Sequence, residues 1–297
     1  MVAVPSQGVE RWLAQRLSAV LGAGTSTDGI CAGVQFPSAA RLIADAEAAA
    51  TGVDPRTQPW ARPTWELLDV IDACTSEPWC TVLAYHLGAG SSDARSEVRR
   101  GRRWATAAHV AALFTSYAAE RPHMLAAWAL GEDTDGHGAG LPTDLRWQAE
   151  LFRRLRDRLG PPPVEHLGDT CTALRADPGL SDLPNRISLF GVTQLPARTL
   201  AVLDALAQHR DVHLWLPHPS PALWTALHGA TATRRRTDAT TTTAANPLLR
   251  SLGRDVRELQ LRLPTTESDT HHAAHQPNNP SACTKLLHQL QDDLVHD

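Results

Sequence analysis

Lysine is almost missing from this chain. Of its 28 basic residues Lys285 is the single lysine, and the other 27 are arginine. A P-loop sets a lysine in Gly-Lys-Ser/Thr against the β- and γ-phosphates. Lys285 stands in Cys283-Thr284-Lys285-Leu286, behind no glycine loop, which excludes an ordinary Walker-type ATPase. Long apolar runs are missing too: nothing approaches the ~18 residues that read as a membrane span. The opening MVAVPS leads straight into an amphipathic helix and has no secretory pattern. Five cysteines (Cys31, Cys74, Cys80, Cys171 and Cys283) form no CxxC pair. They read as reduced, mostly buried thiols of a cytoplasmic protein. Gly-x-Ser-x-Gly and His-Glu-x-x-His are both absent, so neither a serine hydrolase nor a zincin is indicated.

What is present is clearest between Arg186 and Leu216. Ile187–Phe190 is a short apolar run, and Gly191 and Pro196 bracket a turn. Leu200, Val202, Leu203, Leu206 and Ala207 recur at helical spacing, and Val212–Leu216 is a second apolar run. Two apolar strands joined by one helix predict a parallel pair. Open α/β sheets bind ligands at the carboxyl ends of such strands. This turn has no Gly-rich loop, no lysine and no acidic pair. The unit reads as a nucleotide-binding architecture without its chemistry.

Elsewhere, Met1–Pro5 is a strand candidate, followed by a helix over Gly8–Leu21 with Val9, Trp12, Leu13, Leu17, Val20 and Leu21 on one face. Ile30–Phe36 reads as a strand closed by Pro37, and Ser38 as the cap of a helix over Ala39–Ala50. Thr64 caps another helix. From about residue 74 to 180 the pattern is helical, with predicted helices over Trp104–Ala119, Pro122–Leu130 and Thr143–Leu159. The expected fold is therefore α/β with a parallel sheet. Residues 1–73 and 184–297 form its core, and a helical insertion over 74–183 interrupts it. Two polar tracts, 229–245 and 264–282, read as disordered. One amphipathic helix over Asn246–Leu263 lies between them, and a last helix, Cys283–Asp297, carries Leu286, Leu287, Leu290 and Leu294 on one side. That stripe has no evident partner, which suggests that the chain continues in the intact protein.

The formal net charge of −4 argues against a general polyanion binder, so charge is read locally. Arg95, Arg99, Arg100, Arg102 and Arg103 crowd one loop, Arg153, Arg154, Arg156 and Arg158 lie on one helix, and Arg234–Arg236 form a run. The first group precedes Trp104, and arginine beside an aromatic suits phosphate plus base stacking. A solvated charged loop explains it as well. Ser6, Gln7 and Arg11 follow a strand's carboxyl end into a first helical turn, where amides and hydroxyls favour phosphate. An ordinary exposed helix start is the competing account. His271, His272 and His275 sit in a polar tract without fixed geometry, and Asp133, Asp135 and His137 match no cation-loop spacing. No catalytic constellation and no metal site emerge.

Six segments in order carry a family likeness: VPSQGVERWL (Val4–Leu13), GVQFPSAARLI (Gly33–Ile43), AALFTSYAAERPHMLAAW (Ala111–Trp128), DLRWQAELFRRL (Asp144–Leu155), LFGVTQLPARTLAVLDALA (Leu189–Ala207) and NPLLRSLGRDVREL (Asn246–Leu259). Together they resemble the N-terminal part of RecC, the gamma chain of exodeoxyribonuclease V. The resemblance implies a helicase-motor-like, P-loop-type core that has lost ATP chemistry. It also implies a non-catalytic subunit that guides and scans DNA in a helicase/nuclease acting in double-strand break repair and homologous recombination. The implied partners are a DNA single strand and duplex end, and RecB-like and RecD-like subunits that use ATP and magnesium. No cofactor is expected on this chain. The family's strand channel runs over the segments matching Ser6, Gln7 and Arg11, then Ser38 and Arg41, then Phe114, Thr115 and Ser116. With Arg99 and Arg100 from the charge reading, these are the expected DNA contacts. Pro5, Ala44 and Ala112 stand where the family has polar or aromatic groups, so recognition of the same regulatory sequence is not implied. The family also has a strand and a degenerate P-loop before the segment matching Met1, and further domains beyond the segment ending here. The second reading is a protein-interaction scaffold that docks the motor subunit without touching DNA.

Overall fold

The computed structural model describes residues 1–22, 29–89, 97–99, 101–230, 238, 240–263 and 294. The fold is mixed α/β, 60% helical, around a small parallel sheet. Its strands β1 (Val2–Ala3), β2 (Arg186–Phe190) and β3 (Asp211–Trp215) lie in the order β1-β2-β3. The predicted second strand over 30–36 is not a strand. Its tail nevertheless runs along β1: Val2 N–H donates to Gln35 O at 2.9 Å and Val4 N–H to Pro37 O at 3.0 Å. In a parallel ladder the bond between those two would be donated by residue 37. Proline has no N–H, so the ladder has a gap there.

The chain divides into two compact units, Met1–Ser188 with Pro196–His213, and Leu189–Leu195 with Leu214–Asp297. The first holds most helices: α1 (Gln7–Ser18), α2 (Ala39–Thr51), α3 (Thr64–Cys74), α4 (Thr81–His86), α5 (Arg103–Glu120), α6 (Pro122–Ala129), α7 (Arg146–Leu159), α8 (Leu167–Ala176) and α9 (Ala197–Ala207). The start of the predicted helix at Thr143 is a separate 3-10 turn, Thr143–Leu145. Leu67, Ile71, Val110, Leu125, Leu151 and Leu155 build the core of this unit. Phe152 is its hub, with the rings of Trp60, Phe114 and Trp128 centred 5.5, 5.7 and 6.0 Å away. Two of the indoles around it are satisfied: Trp60 Nε1 donates to Gly160 O at 2.9 Å and Trp128 Nε1 to Thr134 O at 2.8 Å.

The second unit carries α10 (Pro221–Ala226), α11 (Pro247–Leu252) and α12 (Arg254–Arg262). Leu223, Leu227, Ala244 and Leu249 form its apolar cluster, and Leu294 packs against it. The expected single helix over Asn246–Leu263 is two helices. Arg257, fully buried, turns its guanidinium back on the end of α11: Nη1 donates to Leu249 O, and Nη2 to Arg250 O at 3.3 Å. Leu249 O also accepts from Gly253 N–H at 3.0 Å, so the guanidinium is a second donor to it at the helix end. Gly253 stands at the joint, where a Cβ would come within 2.5 Å of Leu249 O. Of the expected disordered tracts, 264–282 and residues 231–237 and 239 lie outside the described residues, as does the run Arg234–Arg236. So does nearly all of the predicted helix Cys283–Asp297.

Candidate nucleic-acid interface

The bond from Val4 N–H to Pro37 O joins two extended segments, and each ends in a capped helix. Ser6 is the N-cap of α1 and its Oγ accepts from Val9 N–H at 3.3 Å. Ser38 is the N-cap of α2 and its Oγ accepts from Arg41 N–H at 3.2 Å. Parallel pairing brings both helix starts to the same edge of the sheet. The first amides of an α-helix have no partner within it, so Gln7, Gly8, Ala39 and Ala40 present N–H groups along that edge. Helix dipoles make such ends favourable for anions.

Ser6, Gln7, Arg11, Ser38 and Arg41 are all exposed there. The structure therefore gathers five expected contacts that the chain separates by a long stretch. Arg11 has no ion-pair partner among the described residues, whereas Arg41 Nε lies 3.6 Å from Asp45 one turn on. Ala44, behind Arg41, is buried and contributes only to packing.

The third expected group divides. Phe114 is 3% exposed and lies edge-on to Phe152, so its ring is core and cannot stack on a base. Thr115 and Ser116 are exposed on α5. Thr115 Oγ1 donates to Ala111 O at 3.0 Å, and the residue lines a groove with Trp65 and Trp104. In the sequence Trp104 stands out only as a neighbour of arginines, and Trp65 does not stand out. Its signal was weak: one tryptophan on a helix whose apolar face lies elsewhere.

The arginine groups are mostly spent on the protein itself. Arg99 packs over the Tyr85 ring, 4.6 Å from its centroid, and donates Nη1 to Tyr85 O at 3.2 Å. Arg100 and Arg95 lie outside the described residues. Arg103 pairs with Asp72. On α7, Arg153 binds Asp133 and Glu150, Arg154 binds Glu150, Arg156 binds Glu165 and Arg158 binds Asp69. That helix carries charge but offers no free basic stripe.

The glycine-rich loop before α7 holds itself together. Asp135 Oδ1 accepts from the amides of His137 at 2.7 Å and Ala139 at 3.1 Å, which keep its carboxyl below the usual carboxylate range. Asp133 is taken by Arg153. Among the described residues no cluster of ligands suits a metal ion, and no helix is long and apolar enough to cross a membrane. Cys31, Cys74, Cys80 and Cys171 are free thiols. Burial pushes Cys74 and Cys171 up and Cys80 up to about 11, so none of these three is an activated nucleophile.

Comparison with known proteins adds an independent line. A family model described as RecC, N-terminal domain, matches residues 1–297. The RecBCD enzyme subunit RecC of Mycobacterium tuberculosis (strain ATCC 25618 / H37Rv) is 49% identical over 278 residues, which cover 90% of this chain and 24% of that protein. RecBCD enzyme subunit RecC of Mycolicibacterium smegmatis is 43% identical across 100% of this chain and 25% of its own length. The Escherichia coli subunit of the same name is 27% identical over 75% of this chain and 19% of its length. The chain thus spans about a quarter of the length of the actinobacterial relatives it matches.

Proposed function

Because the chain belongs to the RecC family, we propose that it guides DNA without catalysing its chemistry, as part of a RecBCD-type helicase/nuclease acting in double-strand break repair and recombination. Its small parallel sheet is then the remnant of a helicase-motor core, with ATP and magnesium used by RecB-like and RecD-like partners.

The observation that carries it is the Val4–Pro37 bond, which sets two open helix starts side by side with Ser6, Gln7 and Arg11 on one and Ser38 and Arg41 on the other. Amides, hydroxyls and guanidinium groups along one edge are the groups that hold a sugar–phosphate strand. They position a strand and read no sequence, which suits a guide.

The test is fluorescence anisotropy of a labelled single strand and of a duplex end at two salt concentrations. Phosphate contacts release counterions, so affinity falls as salt rises. Arg11→Ala combined with Arg41→Ala is expected to weaken binding and flatten that salt slope. Unchanged affinity in a correctly folded double variant would remove this edge from the strand path. The competing scaffold reading draws support from the neutralised arginines of α7 and from the net charge of −4. It requires that the folded wild-type chain bind neither DNA at low salt.

A further inference from the structure

We infer that the groove between α3 and α5 is a base-stacking station for single-stranded DNA, built on Trp65 and Trp104. This rests on the strand-guiding reading above and names a second site for it. The two indoles meet at 4.3 Å between ring centroids, with planes tilted by 51°. Both face solvent, Trp65 at 66% exposure and Trp104 at 45%. Two large aromatic side chains left in water are costly: each holds apolar surface that folding could have buried. The core of this unit buries Trp128 and Phe152 fully, so it accommodates large aromatic rings, yet these two indoles stay outside it.

The groove beside the pair has a volume of about 420 Å³. Ala108, Ala111 and Ala112 are among its lining residues, and their short side chains leave room against the indole faces. Arg62, Thr64 and Thr115 supply the polar groups. Arg62 is exposed, and its guanidinium has no ion-pair partner among the described residues. It is the one ionisable residue among those lining the groove, with no carboxylate there to oppose it.

Flat aromatic surface, open space and one unneutralised cation match a nucleotide: a base for the indole and a phosphate for the guanidinium. Stacking on tryptophan accepts every base, since each has a π-face, so such a site holds a strand without reading it. An apolar protein segment would use the indoles but leave Arg62 without a counter-charge. That charge is what favours a strand over a protein partner.

The experiment uses the full chain and an oligothymidylate carrying iododeoxyuridine. Affinity is read by anisotropy, and photocrosslinked peptides are identified by mass spectrometry. Trp65→Ala and Trp104→Ala are each expected to weaken binding about tenfold, within the range known for loss of one stacked base. Their salt slope should stay that of the wild type, while Trp104→Phe should keep most of the affinity. Arg62→Ala should lower the slope by about 0.7, the value for one phosphate contact on a single strand. Crosslinks should fall on peptides bearing Trp65 or Trp104. Full affinity in both alanine variants, with crosslinks elsewhere, would overturn the stacking station and leave the strand-guiding reading standing. A folded wild-type chain that binds no oligothymidylate at either salt would overturn both. Should Trp104→Ala fail to fold by circular dichroism, the more exposed Trp65 decides the matter alone.

Discussion

Arg198 on α9 holds Glu47 on α2 with both ends of its guanidinium: Nε donates to Oε1 at 2.7 Å and Nη2 to Oε2 at 2.6 Å. The two residues are 151 positions apart, and the carboxylate is 8% exposed. The pair clamps the helix that follows the Gln35–Pro37 segment to the helix that links β2 to β3. It therefore sets the backdrop of the candidate edge. Removing one partner from such a pair costs about 3–5 kcal/mol, because a buried charge is left alone. Arg198→Ala is expected to lower stability by about 3 kcal/mol, the low end, since Arg198 is only partly buried. Glu47→Leu with Arg198→Met is expected to lose much less. Urea denaturation of the three proteins decides it, and equal losses in single and double variants would show that the pair is not what joins these helices.

Asp238 gives the second unit a pH dependence. Burial pushes its carboxyl up, but hydrogen bonds from Thr240 and from Arg257 outweigh burial and hold it well below the usual carboxylate range. A depressed carboxylate stabilises the folded state above its unfolded value, about 3.9, and that contribution is lost as pH falls through the folded value. The wild-type protein is therefore expected to weaken steadily below about pH 4. Asp238→Asn should be less stable at neutral pH and lose less on acidification across that window. Amide exchange in Arg254–Arg262, followed against pH, reports the unit that contains the pair. Parallel pH profiles for the two proteins would rule the carboxylate out as the source.

The cysteines are expected to differ sharply in reactivity. Only thiolate attacks a maleimide or iodoacetamide, and burial holds Cys80 up to about 11 with Cys74 and Cys171 also raised. Peptide mapping after labelling at mildly alkaline pH should find Cys31, which is partly exposed, modified ahead of these three. The three should label together once denaturant unfolds the protein. Early labelling of Cys80 in the folded chain would show that the layer around α3 and α4 opens readily.

The helix starts were readable from the residues because capping is local. Ser38 accepts from an amide three positions on, as its place before an apolar run predicted, and Ser6 and Asn246 cap their helices in the same way, whereas Thr64, expected to cap α3, is instead its first residue behind Pro63. The strands around Ile187 and Val212 and the helix between them were equally local, carried by short apolar runs and a 3.6-residue stripe. Strand formation over 30–36 failed on a detail no window shows: the partner is β1, and the residue that should donate the middle bond is proline. The predicted long helix ending at Leu263 is broken at Gly253, where the buried guanidinium of Arg257 reaches back to the carbonyls of Leu249 and Arg250.

For the candidate site, residue type alone determined what chemistry was available: no lysine for a P-loop, and hydroxyls and arginines at two helix starts. Only the tertiary structure decided which of these groups face solvent together. It buried Phe114, turned Arg99 onto Tyr85, paired the arginines of α7 with carboxylates, and stood Trp65 against Trp104 in the open. The physical reason is range. Capping and periodicity act within a few residues of the chain, whereas burial, ion pairing and ring contact depend on neighbours that folding supplies from far along it.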